Sequence, residues 1–183
     1  MSTLKIHTIE SAPQESKKQL EASVEAFGML PNLHGVLAES PALLGAYKTL
    51  HELFQTKTSF NADELTVVWQ TINVEHECHY CVPAHTGIAH MMKVDNDLIE
   101  ALRNSDELSN PKLQTLHETT LILVRNRGNI SDKDLKAFYD AGYTQKHLLE
   151  IILGLSQKVI SNYTNHVAKT PVDAPFEKFA WSK

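Results

Sequence analysis

The sequence predicts an all-helical protein. Apolar residues recur at helical spacing in several segments, and Ser40-Pro41 and Asn110-Pro111 each place an N-cap residue before the proline that is favoured at the first helical position. No stretch alternates at period two for long enough to indicate a β-strand. With 183 residues, of which 42% are hydrophobic, the chain can fill the core of one helical domain, residues 1–183.

The N-terminal part is predicted to contain an arm and three helices. Residues 1–13 are polar and end at Pro13, which predicts an irregular arm that is mobile or lies over a partner. A first helix runs from about Gln14 to Phe27 and is stopped by Gly28. A second begins at Ser40-Pro41 and ends near residue 55, and a third is capped by Asn61 or Asp63. The side chains predicted to face inward in the second and third helices are Leu43, Leu44, Tyr47, Leu50, Leu53, Phe54, Leu65, Val68, Trp69 and Ile72.

The C-terminal part continues in the same way. A short helix is predicted at about residues 96–103. It is followed by three helices, which begin at Asn110-Pro111, at Ser131 and at Thr144. The helix that begins at Ser131 is closed by Gly142. The tail from Thr170 to the end is too apolar to extend into solvent, and it is predicted to pack on its own domain or on a neighbouring subunit. The residues predicted to face inward in the last helix are Leu148, Leu149, Ile152, Val159 and Ile160.

The chemistry is concentrated between the third helix and the next one. The segment Glu75–His85 holds both cysteines of the chain, Cys78 and Cys81, in a CxxC spacing. Pro83 is disfavoured in a helix interior and predicts a helix that starts within residues 79–82. Cys81 would then lie in the first turn, where free backbone N–H groups and the helix dipole stabilise a thiolate.

These positions predict a role for each side chain. Cys81 is the candidate nucleophile, and Cys78 is the resolving thiol that can close a disulfide with it. His85 lies one helical turn after Cys81 and can accept the thiol proton.

The string CHYCVPAHTGIAH, with the preceding segment 60–68, resembles the alkylhydroperoxidase AhpD / carboxymuconolactone decarboxylase family. Segments 28–33, 39–44 and 162–166 are similar to the same family, and the resemblance spans roughly residues 27–168. It implies an AhpD-like helical bundle that assembles as a homo-oligomer, a trimer or hexamer, and reduces organic hydroperoxides through the CxxC pair. It also implies an external dithiol reductant or carrier protein and no bound cofactor beyond the Cys78–Cys81 disulfide.

One position departs from the family pattern. The peroxidases of this family carry a glutamate twelve positions before the first cysteine, where this chain has Thr66. Glu64 and Glu75 are the nearest alternatives in sequence. Positions two apart on a helix point in nearly opposite directions, so Glu64 does not replace a glutamate at position 66 by a simple swap. Glu75 is therefore the predicted relay carboxylate.

Three other functions remain open from the sequence. Zinc could be held by Cys78, Cys81 and His85 with His76, His79 or His90 as the fourth ligand, in a binding or redox-sensing protein. The pair could also serve a general disulfide oxidoreductase. Lactone decarboxylation is the third, although no residue argues for it. Trp69, Met91 and Met92 could form an apolar wall that favours alkyl hydroperoxides over hydrogen peroxide.

Composition excludes several partners. The formal net charge of −5 gives no basic patch for nucleic acid. The N-terminus has no apolar run of signal-peptide type, and no window has the length and hydrophobicity of a membrane helix. We therefore expect a cytoplasmic protein, in which a CxxC pair is catalytic or binds a metal.

Overall fold

The computed structural model describes residues 4–182, and within this range the chain forms nine α-helices and one short 3-10 helix. The predicted all-α class is confirmed. The helices are α1 (Gln14–Phe27), α2 (Asn32–Leu37), α3 (Pro41–Lys57), α4 (Ala62–Glu75), α5 (Cys81–Met91), α6 (Asn96–Asn104), α7 (Pro111–Arg125), α8 (Asp132–Asp140) and α9 (Gln145–Ala168), followed by the 3-10 helix Ala174–Phe179.

The predicted starts of α3, α4 and α7 coincide with side-chain caps. The Ser40 hydroxyl accepts a hydrogen bond from the Leu43 N–H, and Asn61 and Glu64 form a reciprocal capping box at the start of α4. The side chain of Asn110 accepts hydrogen bonds from the backbone at the start of α7. The sequence analysis missed α2, a six-residue helix after Pro31 that is too short to show a periodic pattern.

Helix α4 is the centre of the bundle and is buried along nearly its whole length. It contacts α5, α6, α7 and α9. Its apolar residues pack with those of α7 in the main core, and the predicted inward residues of α4 belong to this core. Its buried members are Phe54, Phe60, Leu65, Val67, Val68, Trp69, Ile72, Leu102, Leu108, Leu113, Leu116, Leu123, Phe138, Tyr143 and Ile151.

Four of the side chains predicted to face inward are exposed. Leu43 and Leu53 lie on the outer side of α3, while Leu149 and Ile152 on α9 are 57% and 45% exposed. On α9 the reason is that the helix buries a polar face instead, which contains Gln157, Lys158, Ser161, Asn162 and Asn165.

The described part of the arm and the C-terminal tail both lie against their own domain. The His7 N–H donates to the Gly35 carbonyl, and the His7 ring pairs with Glu39 at 2.6 Å. The 3-10 helix packs on α5, where a Cβ at Gly87 would come within 2.5 Å of the Phe176 ring. Of the two arrangements predicted for the tail, packing on its own domain is therefore the one observed. Among residues 4–182, no helix has both the length and the apolar character needed to cross a membrane.

Candidate active site

The two cysteines lie where α4 ends and α5 begins. Glu77 has a φ of 51°, which turns the chain sharply after α4, and the Cys78 N–H donates to the Asn73 carbonyl at 2.9 Å. Cys81 is the first residue of α5, as Pro83 predicted. Its N–H donates to the Cys78 sulfur at 3.3 Å, so Cys78 caps the helix through its side chain.

Cys81 has the environment of a thiolate. It is a free thiol with 2% exposure, and the Asn165 side-chain amide donates to its sulfur at 3.3 Å. Burial alone would raise the pKa of Cys81. Hydrogen bonds from Cys78, Asn165 and Asn162 and the positive charge of Lys158 outweigh burial and lower the pKa to about 5. These groups therefore favour the ionised form of Cys81.

Cys78 is the complementary thiol. Its pKa is raised because its S–H donates to Cys81 and because it is fully buried. One ionised and one protonated sulfur at a helix start are what a nucleophile and a resolving thiol require.

His85 is hydrogen-bonded to Lys158, a residue that the sequence analysis did not identify as part of the site. The Lys158 ammonium reaches across from α9 and donates to His85 Nε2 at 2.9 Å. Burial, together with the charge of Lys158, lowers the pKa of His85 well below its usual range, so the ring is neutral and accepts this bond. The other ring nitrogen, Nδ1, is buried and has no hydrogen-bond partner among residues 4–182.

A chain of buried side-chain amides supports the start of α5 from behind. His76 donates to Asn162, Asn162 donates to Asn73, and Asn73 donates to Gln70, with distances of 2.9, 3.1 and 3.0 Å. Gln70 in turn donates to the Val82 carbonyl and the Thr86 hydroxyl. These bonds fix the first turn of α5, and with it the position of the Cys81 sulfur.

A cavity of about 520 Å³ reaches Cys81, His85 and Lys158. Most of its lining is apolar or aromatic. The tail contributes Asp173, Pro175 and Phe176, and the remaining lining residues are Ala26, Phe27, Met29, Pro31, Leu33, His34, Tyr47, His51, Gln55, Tyr80, Ala84, Ile88, Met91 and Met92. The lining confirms a position at the cavity for Met91 and Met92, whereas Trp69 lies behind it, with its ring 4.7 Å from that of His85.

The carboxylates considered for the relay lie with other partners. Both oxygens of Glu75 accept hydrogen bonds from Arg125 at 2.7 Å, and Glu64 caps α4 and pairs with Lys112 at 3.0 Å. The Thr66 hydroxyl donates to the Ala62 carbonyl. The relay role of Glu75 stays a prediction, and the group bonded to His85 Nε2 is Lys158.

The histidines of the zinc hypothesis make other contacts. His76 bonds Asn162, His79 bonds the Trp181 carbonyl and His90 stacks on Phe179. Within residues 4–182, no three His, Cys, Asp or Glu side chains are grouped so that they could hold a metal ion. The described residues therefore offer the zinc hypothesis no ligand set.

The sequence analysis missed Lys158 as a site residue, and it assigned no chemical role to Asn162 or Asn165. A signal was available in the recurrence of polar residues at positions 157, 158, 161, 162 and 165, which is helical spacing. Such a stripe ordinarily faces solvent, and only the fold places it inside.

Solved structures resemble this chain over almost its full length. A structure described as an alkylhydroperoxidase AhpD core, an uncharacterized peroxidase-related protein from Ralstonia eutropha JMP134, matches with a TM-score of 0.83, 16% identity and coverage of 96% of this chain and 94% of that one. An uncharacterized peroxidase-related protein from Silicibacter sp. TM1040 matches with a TM-score of 0.80, 17% identity and coverage of 96% and 93%.

The debrominase Bmp8, solved in complex with 2,3,4-tribromopyrrole, matches with a TM-score of 0.77, 14% identity and coverage of 95% and 93%. No family model and no curated protein sequence matches this chain. The structural matches establish that the chain has the AhpD-like fold, which confirms the predicted resemblance at the level of the fold.

Proposed function

We propose that this AhpD-fold protein is a cytoplasmic thiol peroxidase that reduces organic hydroperoxides. The observation that carries the proposal is the Cys81 sulfur, which lies at a helix start and at an apolar cavity, with its pKa lowered to about 5 and a protonated second thiol beside it. A buried thiolate with a resolving thiol is suited to two-electron reduction of a small molecule.

The cycle has three steps. The Cys81 thiolate attacks the terminal oxygen of the hydroperoxide, the O–O bond breaks, and the alkoxide takes a proton from the site to leave as an alcohol. Cys78 then attacks the Cys81 sulfenic acid, which forms the disulfide and releases water. An external dithiol, small or carried by a protein, reduces the disulfide and is itself oxidised. Among the basic groups at the site, His85 is the proton acceptor predicted from the sequence.

The cavity supports an apolar substrate. Its lining is rich in Met, Phe and aliphatic side chains, and its volume of about 520 Å³ exceeds what hydrogen peroxide needs. We expect cumene hydroperoxide to be turned over faster than hydrogen peroxide, and equal rates would remove this preference.

A free-thiol titration tests the proposal. Reduced wild-type protein should lose both thiols per chain after one equivalent of cumene hydroperoxide, since Cys78 and Cys81 are the only cysteines. Cys81→Ser should keep its remaining thiol, and Cys78→Ser should stop at a sulfenic acid that a dimedone probe traps. If the wild type keeps both thiols, the peroxidase proposal is wrong.

A second candidate is reductive dehalogenation with the same dithiol. The apolar, partly aromatic cavity beside the thiolate supports it, and one structural neighbour is a debrominase. The balanced reaction turns a carbon–bromine bond and two thiols into a carbon–hydrogen bond, a disulfide and HBr. Bromide release from 2,3,4-tribromopyrrole, together with the loss of two thiols, would favour this candidate.

Exchange with protein disulfides has less support. Cys78 and Cys81 are 0% and 2% exposed, and a protein disulfide needs direct access to one of the sulfurs. A general oxidoreductase activity would require the site to open, and a fast reaction of the oxidised pair with protein thiols would reveal it.

A further inference from the structure

Lys158 is a buried cation for which the proposed cycle has so far no role. The side chain is 0% exposed in the middle of α9, and it is one of the largest fully buried side chains among the described residues. Within residues 4–182 it forms no ion pair with a carboxylate. A buried ammonium needs an anion nearby, because otherwise it loses its proton.

Most of the ionisable groups around Lys158 are neutral. Burial lowers the pKa values of His51 (to about 4) and His85, so both rings are neutral, and burial raises the pKa of Tyr47, whose phenol keeps its proton. Cys78 is the protonated thiol. These groups lie on α3 (Tyr47 and His51), at the junction (Cys78) and on α5 (His85). His34, Tyr80 and Asp173 line the same cavity, where burial keeps His34 neutral and the Asp173 carboxylate accepts hydrogen bonds from the Tyr80 hydroxyl and the Asn32 N–H. Cys81 is therefore the anion assigned to Lys158.

The contacts of the Lys158 ammonium connect it to both halves of the site. It donates to His85 Nε2 at 2.9 Å, and it lines the same cavity as Cys81. Burial lowers the pKa of Lys158, and the negative charge of Cys81 opposes this lowering. His85 therefore cannot use Nε2 to accept the Cys81 proton while the bond from Lys158 exists. The neutral His85 ring accepts this hydrogen bond and thereby holds the Lys158 ammonium in position.

We propose that Lys158 is the catalytic acid–base partner of Cys81, and that His85 positions it. This inference rests on the proposed function and replaces His85 as the group that exchanges the proton.

The proton balance closes around the cycle. The resting site holds the Cys81 thiolate, the Lys158 ammonium and the Cys78 thiol. When the thiolate takes the terminal oxygen of the hydroperoxide, Lys158 gives its proton to the alkoxide and becomes a neutral amine. Disulfide formation releases water, with the proton supplied by Cys78. Reduction by the external dithiol returns a proton to each sulfur, and the Cys81 proton then moves to Lys158.

The first test is the pH titration of the Cys81 thiolate, followed by its absorbance at 240 nm in a Cys78→Ser background. The thiolate should appear with a midpoint well below the ordinary value of a cysteine, because the charge of Lys158 and the hydrogen bond from Asn165, which both remain in this background, lower the pKa of Cys81. Lys158→Met keeps the length of the side chain without its charge, and should move the midpoint upward by about two units or more, toward the ordinary value of a cysteine. Lys146→Met on the exposed side of the same helix is the control and should leave the midpoint unchanged.

Lys158→Gln is the second variant. It can still donate to His85 but carries no charge, and it should give the same upward shift as Lys158→Met. An unchanged midpoint in either folded variant would overturn the role of Lys158 in ionising Cys81. Circular dichroism establishes which variants are folded.

The second test addresses proton donation. At a pH above the thiolate midpoint of Lys158→Met, its single-turnover rate with cumene hydroperoxide should stay about tenfold or more below the wild-type rate, because the alkoxide has lost its donor. Wild-type rates at that pH would overturn the donor role. If the wild-type protein does not react with the hydroperoxide, the proposed function is wrong, while the titration still decides whether Lys158 ionises Cys81.

Discussion

Helices α7 and α9 both pack against α4, but they bury opposite kinds of side chain. Helix α7 turns Leu113, Leu116 and Leu123 toward the core. Helix α9 buries mostly polar side chains at its centre, and its exposed residues include Leu149, Ile152, Tyr163 and Val167. The contrast indicates that α7 stabilises the fold through apolar contacts, whereas the inner face of α9 supplies polar groups around Cys81 and His85.

The largest expected effect on stability lies in α7. Leu116 is 0% exposed, and Leu116→Ala should lower the free energy of unfolding by about 2–5 kcal/mol, because it removes apolar contacts and leaves a cavity. Denaturant unfolding measures the loss. The thiolate midpoint of Cys81 should not move in the folded variant, and a shift of a full unit would contradict the separation between the two helices.

A smaller loss is expected where α9 approaches α3. A Cβ at Gly154 would lie 2.6 Å from the ring of Phe54, which is fully buried and has little room to move. Gly154→Ala should therefore cost about 1–2 kcal/mol net, with overpacking outweighing the gain in helix propensity. The control is Gly45→Ala in α3, where the nearest atom is 3.4 Å away and a gain of up to about 1 kcal/mol is expected. A stabilised Gly154→Ala would show that the contact can relax.

These two helices also mark how far the sequence could predict the structure. Local signals such as Ser40-Pro41 and Asn61 placed most helix starts, and the apolar stripe of α7 predicted its inner face. The rule that apolar residues face inward failed for Leu149 and Ile152, because the polar stripe of α9 pairs with polar groups of α4 and α5 that are far away in sequence.

The sequence also predicted some residues of the candidate site and missed others. Pro83 and the CxxC spacing were sufficient to place Cys81 at a helix start with Cys78 beside it. Nothing local to Lys158 indicates that its ammonium meets a histidine 73 positions earlier in the chain. That contact depends on the packing of α5 on α9, which a single sequence does not reveal.

The polar face of α9 should affect chemistry more than stability. Asn165 donates to the Cys81 sulfur, and its side-chain oxygen has no hydrogen-bond partner in the described part of the chain. Within that part, Asn165→Leu therefore removes the bond to Cys81 without leaving a second group unpaired. We expect the thiolate midpoint to rise by about one unit, since a hydrogen bond to a charged group is lost. The 240 nm titration measures it. The contrasting variant is Asn162→Leu, which breaks bonds to His76 and Asn73 and should cost about 1–3 kcal/mol in unfolding.

The smallest effect on the fold is expected on the outer face of α9. Ile152 is 45% exposed, so Ile152→Lys should change the unfolding free energy by only about 0.5 kcal/mol, provided that the protein is monomeric during the measurement. The homo-oligomer proposed from the family resemblance needs an apolar surface, and this face supplies Leu149, Ile152 and Tyr163.

If this outer face is the subunit interface, a lysine on it must lose its hydration or leave the interface, and the assembly should dissociate. Sedimentation or light scattering would then give a trimer or hexamer for the wild type and a smaller particle for Ile152→Lys. Tyr139→Lys on α8 is the matched control, because Tyr139 is also an exposed apolar side chain but lies on another helix. A wild-type mass equal to that of one chain would contradict the oligomer. An unchanged mass for Ile152→Lys would place the interface on another surface. The exposed apolar residues of α9 would then not be explained by subunit contacts.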